Sequence, residues 1–203
     1  DLNKELHRVL EEMKDAKEYG SITKVGQINF ELLYSRFDEI EDDVSLFRQG
    51  VLEVLRPLVD VAKTMAQKYT VVITNPPYIS VSNLSAKASD YVKTHFEDSK
   101  SDLFAVFIEK CNQMLIPNGF QAMITMHSWM FLSSYEILRS KLLNCDTINM
   151  AHLGARAFEE IGGEVVQTTS FVMRKSNTDG YAGTYCRLIE PTTQTGKESM
   201  FLS

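Results

Sequence analysis

The residues best able to do chemistry stand together at Asn75-Pro76-Pro77-Tyr78. Asn75 carries a side-chain carbonyl that accepts hydrogen bonds, and Pro76 offers a backbone carbonyl with no competing N–H. Two acceptors side by side suit an –NH₂ group with two hydrogens to give. Tyr78 adds a flat face on which a planar ring can stack. An exocyclic amine on an aromatic base meets all three conditions. The adenine amine is a poor nucleophile, because its lone pair is conjugated into the ring. Acceptors drawing on both hydrogens favour the pyramidal form, whose lone pair is free to attack a methyl sulfonium. That is preorganised electrostatic stabilisation without a strong general base. A base reaches such a pocket only by leaving its duplex, so base flipping is part of the expectation. Composition alone produces this tetrapeptide about once in a thousand or more chains of this length. A stiff turn with no chemistry seldom needs this combination of residues, so the chemical reading is preferred.

The motif needs an element to hold it. Residues 69–74 are an aromatic followed by a nearly unbroken β-branched run, which predicts a buried parallel strand. The paired prolines stop the ladder and stiffen the loop. Open α/β sheets bind ligands just beyond the carboxyl ends of their strands, which is where the motif falls. Residues 79–100 are polar and without strong periodicity. A helix is predicted over 102–115, with Leu103, Phe104, Phe107, Ile108, Cys111, Met114 and Leu115 inward. Pro117-Asn118-Gly119 reads as a turn before a strand at 120–126. A helix over 135–143 and strands at 147–153, 168–174 and 184–189 follow. This alternation predicts a parallel α/β sheet.

Upstream, residues 2–19 read as one helix with a stripe of Leu2, Leu6, Val9, Met13 and Ala16, stopped at Gly20. Residues 21–42 read as loop-rich, with an apolar patch at 30–34. A second helix is expected over 43–68, with Val44, Phe47, Val51, Leu55, Leu58, Val59, Ala62 and Met65 on one face. Pro57 should kink or split it. The division expected is a helical segment at 1–68, an α/β segment at 69–190, and a tail or the start of another domain at 191–203.

Composition bounds the rest. The 203 residues are 44% hydrophobic and 24% charged, with a net charge of −6. That sign is wrong for a stand-alone nucleic-acid binder, so most phosphate-contacting surface is expected outside this segment. Cys111, Cys145 and Cys186 are far apart and match neither a disulfide framework nor a zinc site. No metal pattern joins His7, His95, His127 and His152, although His127 and His152 fall at predicted strand ends where a site rim could lie. Ser170 and Cys186 lack a triad partner at recognisable spacing. Lys93, Lys100 and Arg156 read as solvated charges rather than phosphate contacts. No apolar run reaches the length of a membrane span.

Asn75-Pro76-Pro77-Tyr78 resembles the catalytic motif of amino-methyltransferases of the class I SAM-dependent fold, and the resemblance runs through most of residues 69–175. Residues 101–109, Ser-Asp-Leu-Phe-Ala-Val-Phe-Ile-Glu, resemble the helix after the motif in gamma-type adenine-N6 DNA methyltransferases. Pro117-Asn118-Gly119-Phe120 resembles their next element. His152-Leu153-Gly154 with Phe158, and then residues 165–172, resemble the later stretch that supplies a second aromatic. Residues 128–132 and 154–164, with the helical segment before the motif, are similar to the PglX-type methyltransferases of BREX phage defence. The resemblance implies that Asn75 and the Pro76 carbonyl hold the target amine. It implies that Tyr78 and Phe158 cover the flipped adenine, and that Phe107 lines the adenine of S-adenosyl-L-methionine. The Pro77 ring belongs to the same catalytic loop.

The departures matter as much. None of the ten glycines forms the GxG expected of a cofactor loop, and Gly162-Gly163 lies too late in the chain. The expectation is therefore the carboxyl-terminal half of a Rossmann-like methyltransferase sheet. It lacks most of the S-adenosyl-L-methionine site and the target-recognition domain, and is inactive alone. Implied partners are DNA through the full-length protein and further subunits of a defence complex, in the cytoplasm and with no membrane. An exposed sheet edge could also pair with a second copy. Methylation of a protein glutamine, methylation of RNA, and a non-catalytic scaffold are the rival functions.

Overall fold

A computed structural model describes residues 1–41, 45–158 and 166–203. The chain forms two compact units, Asp1–Gln67 and Lys68–Ser203.

The first unit is helical. Helix α1 (Leu2–Met13) starts at Asp1, whose side chain accepts the Asn3 N–H, and α2 (Ala16–Tyr19) follows it. The single helix expected over 2–19 is thus broken at Lys14-Asp15, and Gly20 ends it with a φ of 57°. The loop expected over 21–42 is corrected by α3 (Phe30–Glu41). Asn29 Oδ1 accepts the Leu32 N–H at its start, and Leu33 and Phe37 are buried one turn apart. Helix α4 (Leu46–Ala66) buries Leu52, Val59 and Ala62, and it continues through Pro57. Packing beside the proline offsets the lost backbone bond: Leu55, Leu58 and Val59 all join the core with α1 and α3. Phe47 and Val51, expected inward, are exposed instead, and Val44 lies outside the described residues.

The second unit holds the sheet. Its elements are β1 (Tyr69–Thr74), α5 (Ala86–His95), α6 (Leu103–Met114), β2 (Leu115–Met126), α7 (Glu136–Leu142), β3 (Asp146–Gly154), β4 (Thr168–Arg174), β5 (Thr184–Arg187) and α8 (Gln194–Leu202). The strand order is β1-β2-β4-β3-β5. Strand β1 pairs parallel with β2, and β3 with β5, while β4 runs antiparallel to both β2 and β3. The sheet is therefore mixed rather than wholly parallel, because β4 returns directly beside β3. Strands β1, β2, β3 and β5 still place their carboxyl ends on one edge. Phe104, Ile108, Trp129, Leu138 and Phe171 form the core against it. No described helix is long and apolar enough to cross a membrane.

Three further expectations change. The polar stretch 79–100 contains α5, capped by Ser85 Oγ accepting the Ala88 N–H at 3.1 Å. Its buried side is mostly small residues, Ala88, Ser89 and Val92, which leave little periodic signal. Strand β1 is a sheet edge among the described residues rather than a buried strand: Val71 is 49% and Ile73 75% exposed on one face, while Val72 on the other packs on the core. Pro117-Asn118-Gly119 lies within β2, where the pairing jumps from Tyr69↔Leu115 to Val71↔Phe120 and Asn118 adopts a φ of 63°. A Cβ on Gly119 would lie 3.0 Å from the Thr70 and Ile116 carbonyl oxygens, both of them backbone. Gly119→Ala is therefore expected to destabilise the second unit by about 1–3 kcal/mol. Urea unfolding measures this, and an unchanged midpoint would refute the close approach.

Asp146 closes the other end of β3. Its carboxylate accepts from Ser176 Oγ at 2.6 Å, Arg174 Nη2 at 2.7 Å and the Thr178 N–H at 2.8 Å. The Ser176 hydroxyl first, then the Thr178 amide and the other donors, hold this carboxyl well below the ordinary carboxylate range. The folded-state pKa is lowered, so the stabilisation is complete above the unfolded value of about 4 and is lost as pH falls below it. Asp146→Ala should lower the unfolding midpoint at pH 7 and reduce the loss of stability between about pH 4 and 2. Parallel acid titrations of wild type and variant test this, and equal curves would sink it.

Candidate active site at the carboxyl edge of the sheet

Asn75 follows the last residue of β1, and Thr74 pairs with Met123 on β2. Pro76 is buried, while Asn75 and Pro77 are exposed and Tyr78 is half-buried. The Tyr78 hydroxyl is 3.3 Å from Asn75 Oδ1 and 3.2 Å from the Ile124 carbonyl oxygen. One phenol thus touches both the Asn75 amide and the neighbouring strand. Burial pushes the Tyr78 pKa up to about 12, so the hydroxyl remains a donor and is no general base at neutral pH. The Tyr78 ring meets Phe104 edge-on, with centroids 6.2 Å apart and planes at 87°.

The loop is tied down beyond the motif as well. Ser80 forms an antiparallel bridge with Asp102, the Leu103 N–H donates to the Ile79 carbonyl at 2.9 Å, and the Val81 N–H donates to Ser101. Asp102 caps α6 by accepting the Phe104 N–H at 3.2 Å. Burial raises the Asp102 pKa, and backbone N–H donors from Phe104, Ile79 and Leu103 oppose the rise. One carboxylate therefore clamps the motif loop to the helix whose Phe104 supports Tyr78. The sequence held a signal for it: a Ser-Asp pair directly before an apolar helix is a cap signature.

Strand β2 leads into a turn, His127–Met130, at the same edge. Trp129 Nε1 donates to Thr125 Oγ1 at 3.1 Å. His127 Nδ1 and His152 Nε2 are 2.8 Å apart, which joins the ends of β2 and β3. Burial is the main cause that lowers both pKa values. Each ring also feels a neighbouring charge: His152 on His127, and Arg187 and Lys197 on His152. The sequence places both histidines at strand ends, but their pairing depends on the strand order and could not be read from spacing.

Phe158 is half-buried and follows the turn after Gly154, where Arg156 has a φ of 58°. Strand β3 stands three positions from β1, a lateral distance of about 14 Å. The four residues from Gly154 to Phe158 span roughly that length only when extended. The structure thus brings Asn75, Pro76 and Tyr78 together and leaves Phe158 on the turn after β3, a strand three positions from β1. Residues 159–164 of the resembling stretch, and Val165, lie outside the described residues. Phe107 is half-buried on α6 and packs against the core. Lys93 and Lys100 pair with Asp90 and Glu97 one turn away. His95 stacks on Tyr91 with centroids 4.4 Å apart, remote in sequence from the motif loop. All three cysteines are free, and no group of three metal-ligating side chains forms among the described residues. A cavity of about 330 Å³ beside α7, lined in part by Trp129, Met150 and Tyr185, includes none of the motif residues.

The chain has counterparts among known proteins. The adenine-specific methyltransferase PglX of Lacticaseibacillus casei (strain Zhang) is 48% identical over 149 residues, which cover 73% of this chain and 12% of that protein. The adenine-specific methyltransferase BrxX of Escherichia coli O9:H4 (strain HS) is 38% identical over 201 residues, 96% of this chain and 16% of that protein. The chain thus spans less than a fifth of either relative. A modification subunit attributed to a type I restriction enzyme of Vibrio vulnificus YJ016 shares the fold, with a TM-score of 0.50 at 12% identity over 96% of this chain and 51% of that one. The match that decides the family runs from Lys4 in α1 to Phe158 and so contains every residue of the motif loop: residues 4–158 fit the Eco57I restriction-modification methylase profile, and the chain belongs to that family.

Proposed function

We propose that the full protein transfers a methyl group to the N6 amine of a flipped adenine in DNA, at a fixed sequence, as part of restriction–modification or phage defence. The observation that carries this reading is the Asn75 carboxamide, held beside two prolines and touched by a Tyr78 that is itself anchored on β2. A carboxamide oxygen has two lone pairs, so Asn75 can keep the Tyr78 contact and still accept an amine hydrogen. The Pro76 carbonyl takes the second hydrogen, and Tyr78 offers its ring to the base. Phe158 would close the far side of the base by extending its loop along the sheet edge. As the methyl group arrives, the amine nitrogen becomes tetrahedral and its hydrogens grow more acidic, so both acceptors bind the transition state more tightly than the ground state. The leaving proton passes to solvent, since the Tyr78 hydroxyl stays protonated.

The methyl donor implied is S-adenosyl-L-methionine, which supplies an electrophilic methyl on a sulfonium. The donor set here fits the acceptor half of such a site: neutral oxygen acceptors and a stacking face. Phe107 is the one side chain here assigned to the adenine of the cofactor, and most of that site would come from elsewhere in the full protein. Such a protein would act on DNA in the cytoplasm, with further defence subunits as its partners.

The experiment expresses the full protein with and without Asn75→Ala and maps N6-methyladenine in cellular DNA at single-base level. Methylation at one sequence, lost in the variant, is the expected result. Methylation absent in both, with the modification found on RNA or on a protein amide, would overturn the DNA reading.

A further inference from the structure

The His127–Leu132 turn carries a feature that methyl transfer does not use. Phe131 is 60% exposed, yet its backbone is firmly held. The N–H groups of Phe131 and Leu132 both donate to the Ser128 carbonyl, at 3.1 and 3.0 Å. Arg139 reaches from α7 and donates to the Trp129 carbonyl at 2.8 Å and to the Leu132 carbonyl at 2.6 Å. Three rings meet there: Phe131 lies 5.3 Å from His127 and 5.9 Å from His152, and the two imidazoles are 5.0 Å apart. The short His127–His152 contact needs one nitrogen as donor and one as acceptor, so the two rings are not both protonated, and their burial favours the neutral form. Neutral imidazoles are weak phosphate clamps but good flat surfaces. Positive charge lies alongside instead, from Arg187 and Lys197 near His152. Lys197 is buried on the Leu153 and Leu188 carbonyls, whereas Arg187 is exposed and paired with Glu190, a contact easily exchanged for phosphate. A rigidly presented, exposed aromatic whose bracing histidine has an exposed arginine nearby holds the two parts of a base-stacking platform beside a nucleic-acid backbone.

The turn follows β2, the strand adjacent to β1, and its Phe131 ring meets histidines at the ends of β2 and β3, on the sheet edge where the motif loop leaves β1. We propose that Phe131, braced by His127 and His152, is a stacking subsite for the nucleobase that neighbours the flipped adenine. This rests on the reading of the site as a DNA adenine methyltransferase. When the target base leaves the duplex, its neighbour loses a stacking partner, and an exposed aromatic at the same sheet edge replaces part of that loss.

The test measures DNA affinity of the full protein as wild type, Phe131→Ala and Phe131→Tyr. The duplexes carry the methylation site, intact or with an abasic position on either side of the target adenine. Phe131→Ala should weaken binding to the intact duplex roughly 5- to 150-fold, and Phe131→Tyr should restore it. An abasic position on one side should erase the difference between wild type and Phe131→Ala. Equal affinities on intact DNA would overturn the proposal, and so would a loss that persists unchanged on every abasic duplex. If Phe131→Ala does not fold, Phe131→Leu replaces it against Phe131→Tyr with the same expected and overturning outcomes. If the full protein methylates no DNA, the functional reading fails separately. The subsite then stands or falls on whether Phe131→Ala weakens binding to single-stranded oligonucleotides.

Discussion

Asn75→Ala in the full protein is expected to lower the methyl-transfer rate by roughly 10²- to 10³-fold, the loss typical of removing one preorganised polar contact to a transition state. The split between kinetic constants carries the argument. The Asn75 oxygen gains strength as the amine nitrogen becomes tetrahedral, so its removal should fall on kcat and leave KM for DNA nearly unchanged. Asn75→Asp keeps an acceptor oxygen at the same place and should retain more activity than the alanine variant. Single-turnover methylation with saturating cofactor and DNA isolates the step. A variant whose KM rises while kcat holds would show that Asn75 only binds the base, and the electrostatic mechanism would be wrong. The side chain is exposed and its partner Tyr78 keeps a second bond to the Ile124 carbonyl, so the fold should not suffer.

That prediction was available from four residues, because the chemistry of the motif is local. Asn75, Pro76 and Tyr78 are close in sequence, and the β-branched run before them reliably makes a strand. Helix α6 was equally legible, since Phe104, Ile108 and Cys111 repeat at helical spacing and are buried. What the sequence concealed is what depends on strand order. The run at Val71 and Ile73 reads as interior, but these two share the face of β1 opposite Val72, which packs on the core, and that face is exposed. His127 and His152 are 25 residues apart, and they meet because β2 and β3 run the same way on either side of β4. The reversal of β4 leaves no mark in its own residues, since Thr168–Arg174 would suit either direction. Two helices, α3 and α5, fall in stretches that read as loop. The first shows only a short apolar patch at residues 30–34, and the second buries mostly small residues that a hydrophobic pattern does not register.

Phe104→Ala should have the largest effect on stability and should reach the active site as well. Phe104 is 1% exposed and is among the largest fully buried side chains. Truncating such a residue costs about 3–5 kcal/mol, from lost transfer energy plus the cavity left behind. That is a large share of the 5–15 kcal/mol typical of a domain. The same ring stands edge-on to Tyr78 at 6.2 Å and lies 5.8 Å from Tyr135, so the cavity would open directly beneath the stacking tyrosine. The Asp102 cap would survive, because it is made to the backbone N–H of residue 104. Helix α6 should therefore stay in register while Tyr78 loses its support on one side. Two measurements separate the consequences. Urea unfolding should show the loss of stability, and methylation assayed well below the unfolding temperature should show a further drop in rate. Phe104→Leu keeps most of the volume without the flat edge, so it should recover most of the stability and less of the rate. If the leucine variant matched wild type in both, Phe104 would be filling space only, and the placement of Tyr78 would rest on its hydroxyl bonds to Asn75 and Ile124 alone.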